Sequence, residues 1–216
     1  MENNTLPTLT KEEIRVLGCL IEKSKTTPEY YPLTLKGLTT ACNQKSARNP
    51  VVDYSEDTVV HTLDTLRKKG LAATVVGGSS RVTKYKHTIG IKYPLVPAAV
   101  SILSLLMLRG PLTVGEIKAN SGRLFPFDSL EEIQDYLQEL SEAQPPYVTQ
   151  IEKKSGQKEA RYIQLFSDVE EQEAAFEERT TTSGETLAEL SKRVEILEEE
   201  LSDLRERFEK LMEELS

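Results

Sequence analysis

The chain of 216 residues has 38% hydrophobic side chains, enough to form packed cores in one large or two small domains, and a net charge of −8. Its longest apolar run, residues 98–108, is shorter than the roughly 18 residues of a membrane span, and the first nine residues lack the pattern of a secretory signal. We therefore expect a cytoplasmic protein without membrane spans, in which Cys19 and Cys42 remain reduced.

The negative charge is concentrated near the C-terminal end. Residues 1–92 contain 14 Lys and Arg against 9 Asp and Glu, a net charge of +5. Residues 93–166 contain 7 against 9, and residues 167–216 contain 6 against 17, a net charge of −11. DNA binding, which the charge of the whole chain would disfavour, therefore remains possible for the first segment.

A first domain is predicted over residues 10–92, after a disordered lead-in at residues 1–9. Thr10 and Glu13 have the spacing of a capping box and open its first helix, and Thr34 caps the second. The polar connection that follows, residues 43–54, is long for a helix-turn-helix, and long loops often carry function.

The third helix of this domain and the hairpin that follows it indicate the fold. Ser55 caps it, and Gly70 can end it in a left-handed turn. Residues 72–76 and 81–87 then form two strands joined by a Gly-Gly-Ser-Ser turn. A capped helix followed by a hairpin is typical of a winged helix-turn-helix, in which the helix is the recognition helix and the hairpin is the wing. The positions expected to face inward are Val59, Leu63 and Leu66.

Residues 93–166 are predicted to repeat this plan as a second domain. Capping boxes at Thr113 and Ser129 open two helices after an apolar one, and a second hairpin follows within residues 147–166. The corresponding caps of the first domain lie 79 and 74 residues earlier. The predicted fold class is therefore α+β, mainly helical with small β-hairpins: tandem winged helix-turn-helix domains followed by a C-terminal coiled-coil helix.

The last part of the chain has the pattern of a coiled coil. Residues 167–186 are predicted to be an acidic linker, and apolar residues in 187–216 recur at spacings of 3 and 4 over about four heptads. Pairing of Arg193 with Glu198 would favour a parallel homodimer, although an antiparallel pair or a single helix packed on its own domains remains open. The predicted dimerisation residues are Leu187, Leu190, Val194, Leu197, Leu201, Leu204, Phe208, Leu211 and Leu215.

Six short stretches of the chain resemble those of a known family. They are Gly18–Lys23, Thr26–Pro28, Leu38–Ser46, Arg48–Val51, Gly78–His87 and Gly156–Tyr162. Over roughly residues 10–166 the chain resembles the YceH-like family of bacterial tandem winged-helix proteins, and this resemblance implies a fold more than a function. Asn49 departs from the acidic residue expected after Arg48, and Ser155 replaces an expected proline.

Basic residues of the first domain are candidates for binding DNA phosphates, so binding should weaken as salt rises. Opposing this, Glu56, Asp57 and Asp64 lie on the third helix and would repel a phosphate. The candidate phosphate-binding residues are Lys45, Arg48, Lys68, Lys69, Arg81, Lys84 and Lys86, and the candidate base readers are His61, Thr62, Thr65 and Lys68.

The second domain is predicted to contact a protein. Its third helix carries an acidic face that a phosphate backbone would repel, although a solvated acidic face is the simpler explanation. This face consists of Glu131, Glu132, Asp135, Gln138, Glu139 and Glu142, and only the wing is basic, with Lys153, Lys154, Lys158 and Arg161.

Neither catalysis nor metal binding is predicted. His61, His87 and the two cysteines form no recognisable catalytic or zinc motif, and the cysteines are more simply explained as small core residues. Three tyrosines border the long loops and are expected to cover a core edge; a small-molecule site between them is a remote alternative. These tyrosines are Tyr30, Tyr31 and Tyr54.

The leading hypothesis is a non-enzymatic, cofactor-free DNA-binding protein, a regulator or chromosome-associated factor. It would contact double-stranded DNA through the first winged helix and pair with a second copy through the coiled coil. The alternative is a protein-interaction scaffold that uses the winged helices and the coiled coil without binding DNA. Tandem winged helices serve several roles, so the fold alone does not choose between these hypotheses.

Overall fold

The computed structural model describes residues 5–76, 82–151 and 159–178, together with Lys192 and Val194. Two units are present, Met1–Gln172 and Glu173–Ser216. Both predicted domains fall within the first unit. The segment predicted to be a linker contains a helical stretch at residues 169–178. Of the predicted dimerisation residues, Val194 is described as helical and 48% exposed, and the other eight lie outside the described residues.

The first half of the Met1–Gln172 unit contains three main helices and a small antiparallel sheet. The helices are α1 (Lys11–Thr26), α2 (Leu35–Cys42) and α3 (Glu56–Lys68), and the strands are β1 (Leu33–Thr34), β2 (Ala72–Val75) and β3 (Lys84–His87). The strand order is β1-β3-β2, with Tyr85 of β3 opposite both Leu33 and Thr74. Strand β1, a 3₁₀ turn at Pro28–Tyr30 and a short helix α4 (Ile89–Lys92) are elements that the sequence analysis did not predict.

The predicted helix starts of the first half are confirmed. Thr10 and Glu13 form a complete capping box, because each side chain accepts a hydrogen bond from the other residue's amide. The Oγ1 of Thr34 accepts from the amide of Gly37 at 3.2 Å, and the Ser55 hydroxyl caps α3 in the same way. Beyond α3, Gly70 has a φ of +68°, the left-handed conformation in which glycine is least strained.

The second half repeats the order of helices and strands. Its elements are α5 (Pro97–Arg109), α6 (Val114–Ser121), α7 (Leu130–Glu142), β4 (Val148–Ile151) and β5 (Arg161–Gln164), with β4 antiparallel to β5. An isolated bridge between Leu112 and Tyr162 lies where β1 pairs with β3 in the first half. Helix α6 begins 79 residues after α2, and α7 begins 74 residues after α3, which are the offsets predicted from the caps.

The caps of the second half are confirmed with one difference. Thr113 and Glu116 form a complete capping box at the start of α6. Ser129 caps α7 by accepting from the amide of Glu132, as predicted. The Glu132 carboxylate, however, accepts from the amide of Asp128 at 2.7 Å, so the predicted reciprocal box at Ser129 is incomplete.

The two halves share one hydrophobic core, in which α1 packs against α5. Every residue of α5 from Ala98 to Leu108 is buried, as expected for a helix that is apolar on all sides. The helices are in tight contact at Gly18, where a Cβ would lie 2.9 Å from the Leu108 side chain. The Ser104 hydroxyl donates to the Gly18 carbonyl at 3.2 Å, so the buried serine in this apolar contact is satisfied.

Candidate nucleic-acid interface

Helix α3 presents a mixed charged face to solvent. Its buried residues are Val59, Thr62, Leu63 and Leu66, and the predicted base readers His61, Thr65 and Lys68 are exposed. Asp57 and Asp64 are exposed on the same helix, and Asp64 pairs with Arg67 at 3.2 Å. Arg67 is an exposed cation that the sequence analysis did not include, although its position three residues after Asp64 is a helical pairing distance.

Thr62 is not available to read bases. It is 7% exposed, and its hydroxyl donates to the Thr58 carbonyl one turn earlier at 2.8 Å. The prediction that Thr62 faces away from the core is therefore wrong. The buried face of α3 is wider than the Val59, Leu63 and Leu66 stripe, since Thr62 lies beside Leu63 on the side that packs into the core.

Two lysines of the predicted wing lie on β3. Lys84 and Lys86 are half-buried and alternate with Tyr85, which packs on the core, so the lysines lie on the opposite face of the sheet. Lys84 pairs in register with Val75, and Lys86 pairs with Ala73. The third basic residue predicted for the wing, Arg81, lies outside the described residues.

Lys69 has a structural role in place of the predicted phosphate contact. Its ammonium donates to the carboxylate of Glu13 at 2.7 Å and to the carbonyl of Thr8 at 2.8 Å. Burial alone would raise the pKa of Glu13, but the hydrogen bonds from Lys69 and from the Thr10 amide outweigh it and lower that pKa. Lys69 thus joins the end of α3 to the start of α1, and its phosphate-binding role is not supported.

The long connection between α2 and α3 is tied at both of its ends. The side chain of Asn43 donates to the Tyr54 carbonyl at 2.9 Å and accepts from the Tyr54 amide at 2.8 Å. In the middle, the amide of Asn49 donates to the Leu108 carbonyl of α5 at 2.8 Å. Lys45, the first predicted phosphate contact, is exposed on this connection.

Arg48 is the centre of a buried ion pair, and its predicted phosphate contact is wrong. Its side chain is 0% exposed, and its guanidinium donates to both carboxylate oxygens of Glu22, at 2.9 and 2.5 Å. It also donates to the Ala41 carbonyl at 3.1 Å and to the Gln44 amide oxygen at 2.9 Å. Burial would raise the pKa of Glu22, but the hydrogen bonds and charge of Arg48 lower it. Although Asn49 replaces the acidic residue expected after Arg48, Arg48 has a carboxylate partner in Glu22.

The two cysteines lie beside this ion pair. Both are buried and unbridged, as predicted for small core residues. The Cys19 thiol donates to the Ala41 carbonyl at 3.4 Å. The Cys42 thiol donates to Cys19, and this bond together with burial raises the pKa of Cys42. Arg15, also buried, donates to the carbonyls of Cys42 and Pro50, so these polar groups serve to hold the long connection against α1.

The tyrosines that border the loops have different environments. Tyr31 and Tyr54 pack against the core as predicted, whereas Tyr30 is 71% exposed and covers no core edge. The Tyr31 hydroxyl accepts from the His87 amide at 2.7 Å, and burial raises the pKa of Tyr31 to about 12. Burial, reinforced by Lys25 and Lys86, lowers the pKa of His87 to about 4. His87 is therefore a neutral histidine in the core.

The second half lacks a comparable basic face among its described residues. The predicted acidic residues of α7 are exposed except for Glu132, which is half-buried. Arg161, the described basic residue of the second hairpin, donates to both carboxylate oxygens of Glu116, at 2.5 and 2.9 Å. Lys153, Lys154 and Lys158 lie outside the described residues.

Comparison with known proteins gives the family of the chain. A family described as "Protein of unknown function, DUF480" matches residues 9–157. The chain belongs to this DUF480 family. Its curated relatives are called UPF0502 proteins. The one from Geotalea uraniireducens (strain Rf4) is 50% identical over 155 residues, which are 72% of this chain and 70% of the relative.

Two further UPF0502 proteins have comparable sequence identity to this chain. The one from Citrifermentans bemidjiense is 46% identical over 189 residues, 86% of this chain and 87% of the relative. The one from Shewanella loihica (strain ATCC BAA-1088 / PV-4) is 46% identical over 168 residues, 76% and 78% of the two chains. The DUF480 match includes α1 to α7 and ends between β4 and β5, so the predicted heptads lie outside it.

Two other features, a membrane-spanning helix and a cluster of metal ligands, are absent from the described residues. Within them, no helix is long and apolar enough to cross a bilayer. No group of three or more His, Cys, Asp or Glu side chains in the same part of the chain is arranged to hold a metal ion.

Proposed function

We propose that this DUF480 chain is a DNA-binding protein whose first half is a winged helix-turn-helix of the YceH-like kind. The order α1-β1-α2-α3-β2-β3, with the antiparallel sheet order β1-β3-β2, supports that fold. In this arrangement α3 is the recognition helix and the hairpin of β2 and β3 is the wing. The second half has the same element order and supports a tandem arrangement.

The observation that carries the proposal is the set of basic and polar groups on the outer faces of α3 and β3, which are exposed on α3 and half-buried on β3. Lys68 ends α3 on its exposed face, and the hairpin that follows holds Lys84 and Lys86 on its outer face. Such groups are suited to neutralising phosphates, and His61 can reach base edges. The Thr65 hydroxyl is less available, because it donates to the Thr62 carbonyl at 2.9 Å. Lys45 is the remaining exposed candidate, since Arg48 and Lys69 are engaged within the protein.

The acidic residues on α3 set a limit on this function. Asp57, His61, Asp64 and Lys68 follow one another at spacings of 4, 3 and 4 on the solvent side of the helix. A phosphate close to this stripe would be repelled by the two carboxylates. We therefore expect weak, salt-sensitive affinity for general duplex DNA, with the hairpin supplying most of the phosphate contacts.

The salt dependence of binding tests the proposal. Fluorescence anisotropy of a labelled random duplex with the full-length chain should show saturable binding, and each phosphate contact should add about 0.9 to the slope of log affinity against log salt. Lys84→Gln and Lys86→Gln should each reduce that slope by about 0.9.

Lys11→Gln is the matched control. Lys11 lies at the start of α1, its side chain is 69% exposed, and it pairs with Glu171. Its neutralisation removes the same charge from the chain and should leave the slope unchanged. No saturable binding at low salt, or equal slopes for Lys84→Gln and Lys11→Gln, would refute DNA binding through the hairpin.

We further propose that the predicted heptads make the chain a homodimer. Leu197→Asp with Leu204→Asp should give monomers in analytical ultracentrifugation, because both residues occupy predicted seam positions. Lys192→Asp, at an outward position of the same heptads, should leave the dimer intact. Dimers that survive the double leucine substitution would place the interface elsewhere.

A protein-interaction scaffold is the second candidate function, and the exposed acidic face of α7 favours it. This face would repel a duplex but suits a basic protein surface. This function is expected if the full-length chain fails to bind DNA. The double variant Glu131→Lys with Asp135→Lys should then no longer capture a protein partner that the wild-type chain captures. Retention of that partner by the variant would argue against this face as the binding surface.

A further inference from the structure

A cleft lies between the two halves of the Met1–Gln172 unit, and Lys45, a proposed phosphate contact, is the chain neighbour of two of its lining residues, Gln44 and Ser46. It encloses about 420 Å³, within the range of roughly 300–1,000 Å³ for small-molecule sites. One wall comes from the last turns of α1 and the connection after α2, and the other comes from the ends of α5 and α6. A ligand in this cleft would therefore contact both halves at once.

The cleft has an excess of positive charge. Glu22 is the one carboxylate among the described residues that line it, and both of its oxygens are occupied by Arg48. Lys23, Arg109 and Arg123 also line the cleft, and the Lys23 ammonium lies 3.4 Å from the Glu22 carboxylate and donates to the Gln44 amide oxygen at 3.3 Å. Since Arg48 already neutralises Glu22, these three cations give the cleft a net positive charge.

The two arginines of the far wall are available to a ligand. Within the part of the chain that the structure describes, the side chains of Arg109 and Arg123 make no hydrogen bond and no ion pair. Arg109 is half-buried, and its partial burial lowers its pKa; the nearby charge of Glu22 opposes this shift, and that of Arg48 adds to it. A guanidinium partly withdrawn from water and left without an acceptor is unfavourable, and an anion bound to Arg109 would relieve that cost.

Helix dipoles explain these arginines only in part. Arg109 ends α5 and Arg123 follows α6, where a positive charge interacts favourably with the last carbonyls. That interaction is available to an arginine that stays in solvent. It does not require Arg109 to lie in a partly buried cleft beside a second cation, Arg48.

The remaining lining is suited to the body of an organic molecule. Leu105 and Leu108 are buried beneath the cleft, and Leu124 is half-buried at its side. The Asn120 amide donates to the Glu116 carbonyl at 2.7 Å, which leaves its carbonyl oxygen as an acceptor. At about 420 Å³ the cleft has the volume of a small-molecule site, so its charge and its apolar lining together fit an organic anion.

We propose that this cleft binds a phosphomonoester of about mononucleotide size, with its phosphate between Arg109 and Arg123 and its sugar or base against Leu124. A dianionic phosphate matches two guanidiniums better than a singly charged carboxylate does. The site does not depend on DNA binding. A bound ligand would strengthen the contact between the halves by mass action.

Calorimetric titration of the full-length chain tests this site without DNA. The probes are AMP, GMP, UMP and glucose 6-phosphate, with adenosine, inorganic phosphate and benzoate for comparison. At least one phosphomonoester should bind with a dissociation constant below about 1 mM, more tightly than adenosine or phosphate. Arg109→Gln and Arg123→Gln should each weaken it about tenfold or more.

Two further measurements separate loss of the site from general loss of charge or of folding. Arg67→Gln, an exposed arginine of α3, should leave the affinity unchanged. Arg123 is exposed, so Arg123→Gln decides the test if Arg109→Gln does not fold. Absence of binding by all four phosphomonoesters, affinity unaffected by Arg123→Gln, or tighter binding of benzoate or of phosphate alone would overturn the proposal. Failure of DNA binding would not bear on this result.

Discussion

Replacement of Arg48 by methionine should strongly destabilise the Met1–Gln172 unit. Methionine keeps much of the length and apolar volume of the arginine stem but removes every donor. The Glu22 carboxylate then loses two hydrogen bonds while its side chain remains 14% exposed, and the Ala41 carbonyl loses a donor as well. The perturbation therefore leaves a buried charge without its main partner.

The expected loss is about 3–5 kcal/mol of unfolding free energy, the usual effect of breaking a buried ion pair from one side. The lower end applies here, because Lys23 remains 3.4 Å from the Glu22 carboxylate. Glu22→Gln in the same chain removes the unpaired charge. The double variant Arg48→Met with Glu22→Gln should therefore be less destabilised than the sum of the two single variants.

Urea unfolding followed by circular dichroism measures these losses, with Arg67→Met as the matched control. Arg67 pairs with Asp64 at an exposed site, so its replacement should change stability by no more than about 0.5 kcal/mol. A loss below about 1 kcal/mol for Arg48→Met, or strict additivity in the double variant, would refute the assignment of Arg48 to a stabilising buried pair.

The pH dependence of the unfolding free energy gives a second measure of the Arg48–Glu22 pair. The folded-state pKa of Glu22 is below its unfolded value of about 4.3, so its stabilising effect is complete above that pH. The effect is lost as the pH falls through the lower folded-state pKa. In Arg48→Met this acid-dependent loss should shrink, because the main donor that lowers the pKa is gone.

Three further predictions concern other contacts of the same unit. Gly18→Ala should cost about 1–3 kcal/mol in urea unfolding, because its Cβ would meet Leu108 at 2.9 Å, and Leu108→Val should recover part of the loss. His87 has a pKa of about 4 when folded and about 6.5 when unfolded, so wild-type stability should fall by up to about 3 kcal/mol as the pH drops from 6.5 to 4, and His87→Gln should flatten this slope. Asn43→Ala should cost about 1–3 kcal/mol and speed hydrogen exchange at the Tyr54 amide, because the hydrogen bond at 2.8 Å is lost; unchanged exchange would contradict it.

Local patterns were sufficient to predict most of the helices and both hairpins. A cap such as Thr10 with Glu13 is a property of four adjacent residues, and the inward stripe of α3 needs only the helical period. Strand β1 has two residues and no alternating pattern, and α4 has four, so neither carries a periodic signal. The position of β1 depends on its pairing with β3, and that of α4 on its contacts with α5.

The candidate site was less predictable, because side-chain roles depend on distant partners. Arg48 pairs with Glu22, 26 positions earlier, and Lys69 pairs with Glu13, 56 positions earlier. A lysine or arginine in a polar stretch has the same local sequence whether it binds a phosphate or closes a buried pair. Thr62 was misassigned because the core covers one more residue of α3 than the apolar stripe indicates.

The buried α5 helix has a consequence for how the unit unfolds. Eleven consecutive residues of α5 are buried, and α1 supplies much of the surface that covers them, so separation of the halves would expose an apolar helix to water. The halves repeat one plan, yet we expect each to lose its structure once the other is lost, because they share one core. They should therefore melt in a single cooperative transition, and a domain boundary drawn from the repeat does not mark an independently folding piece.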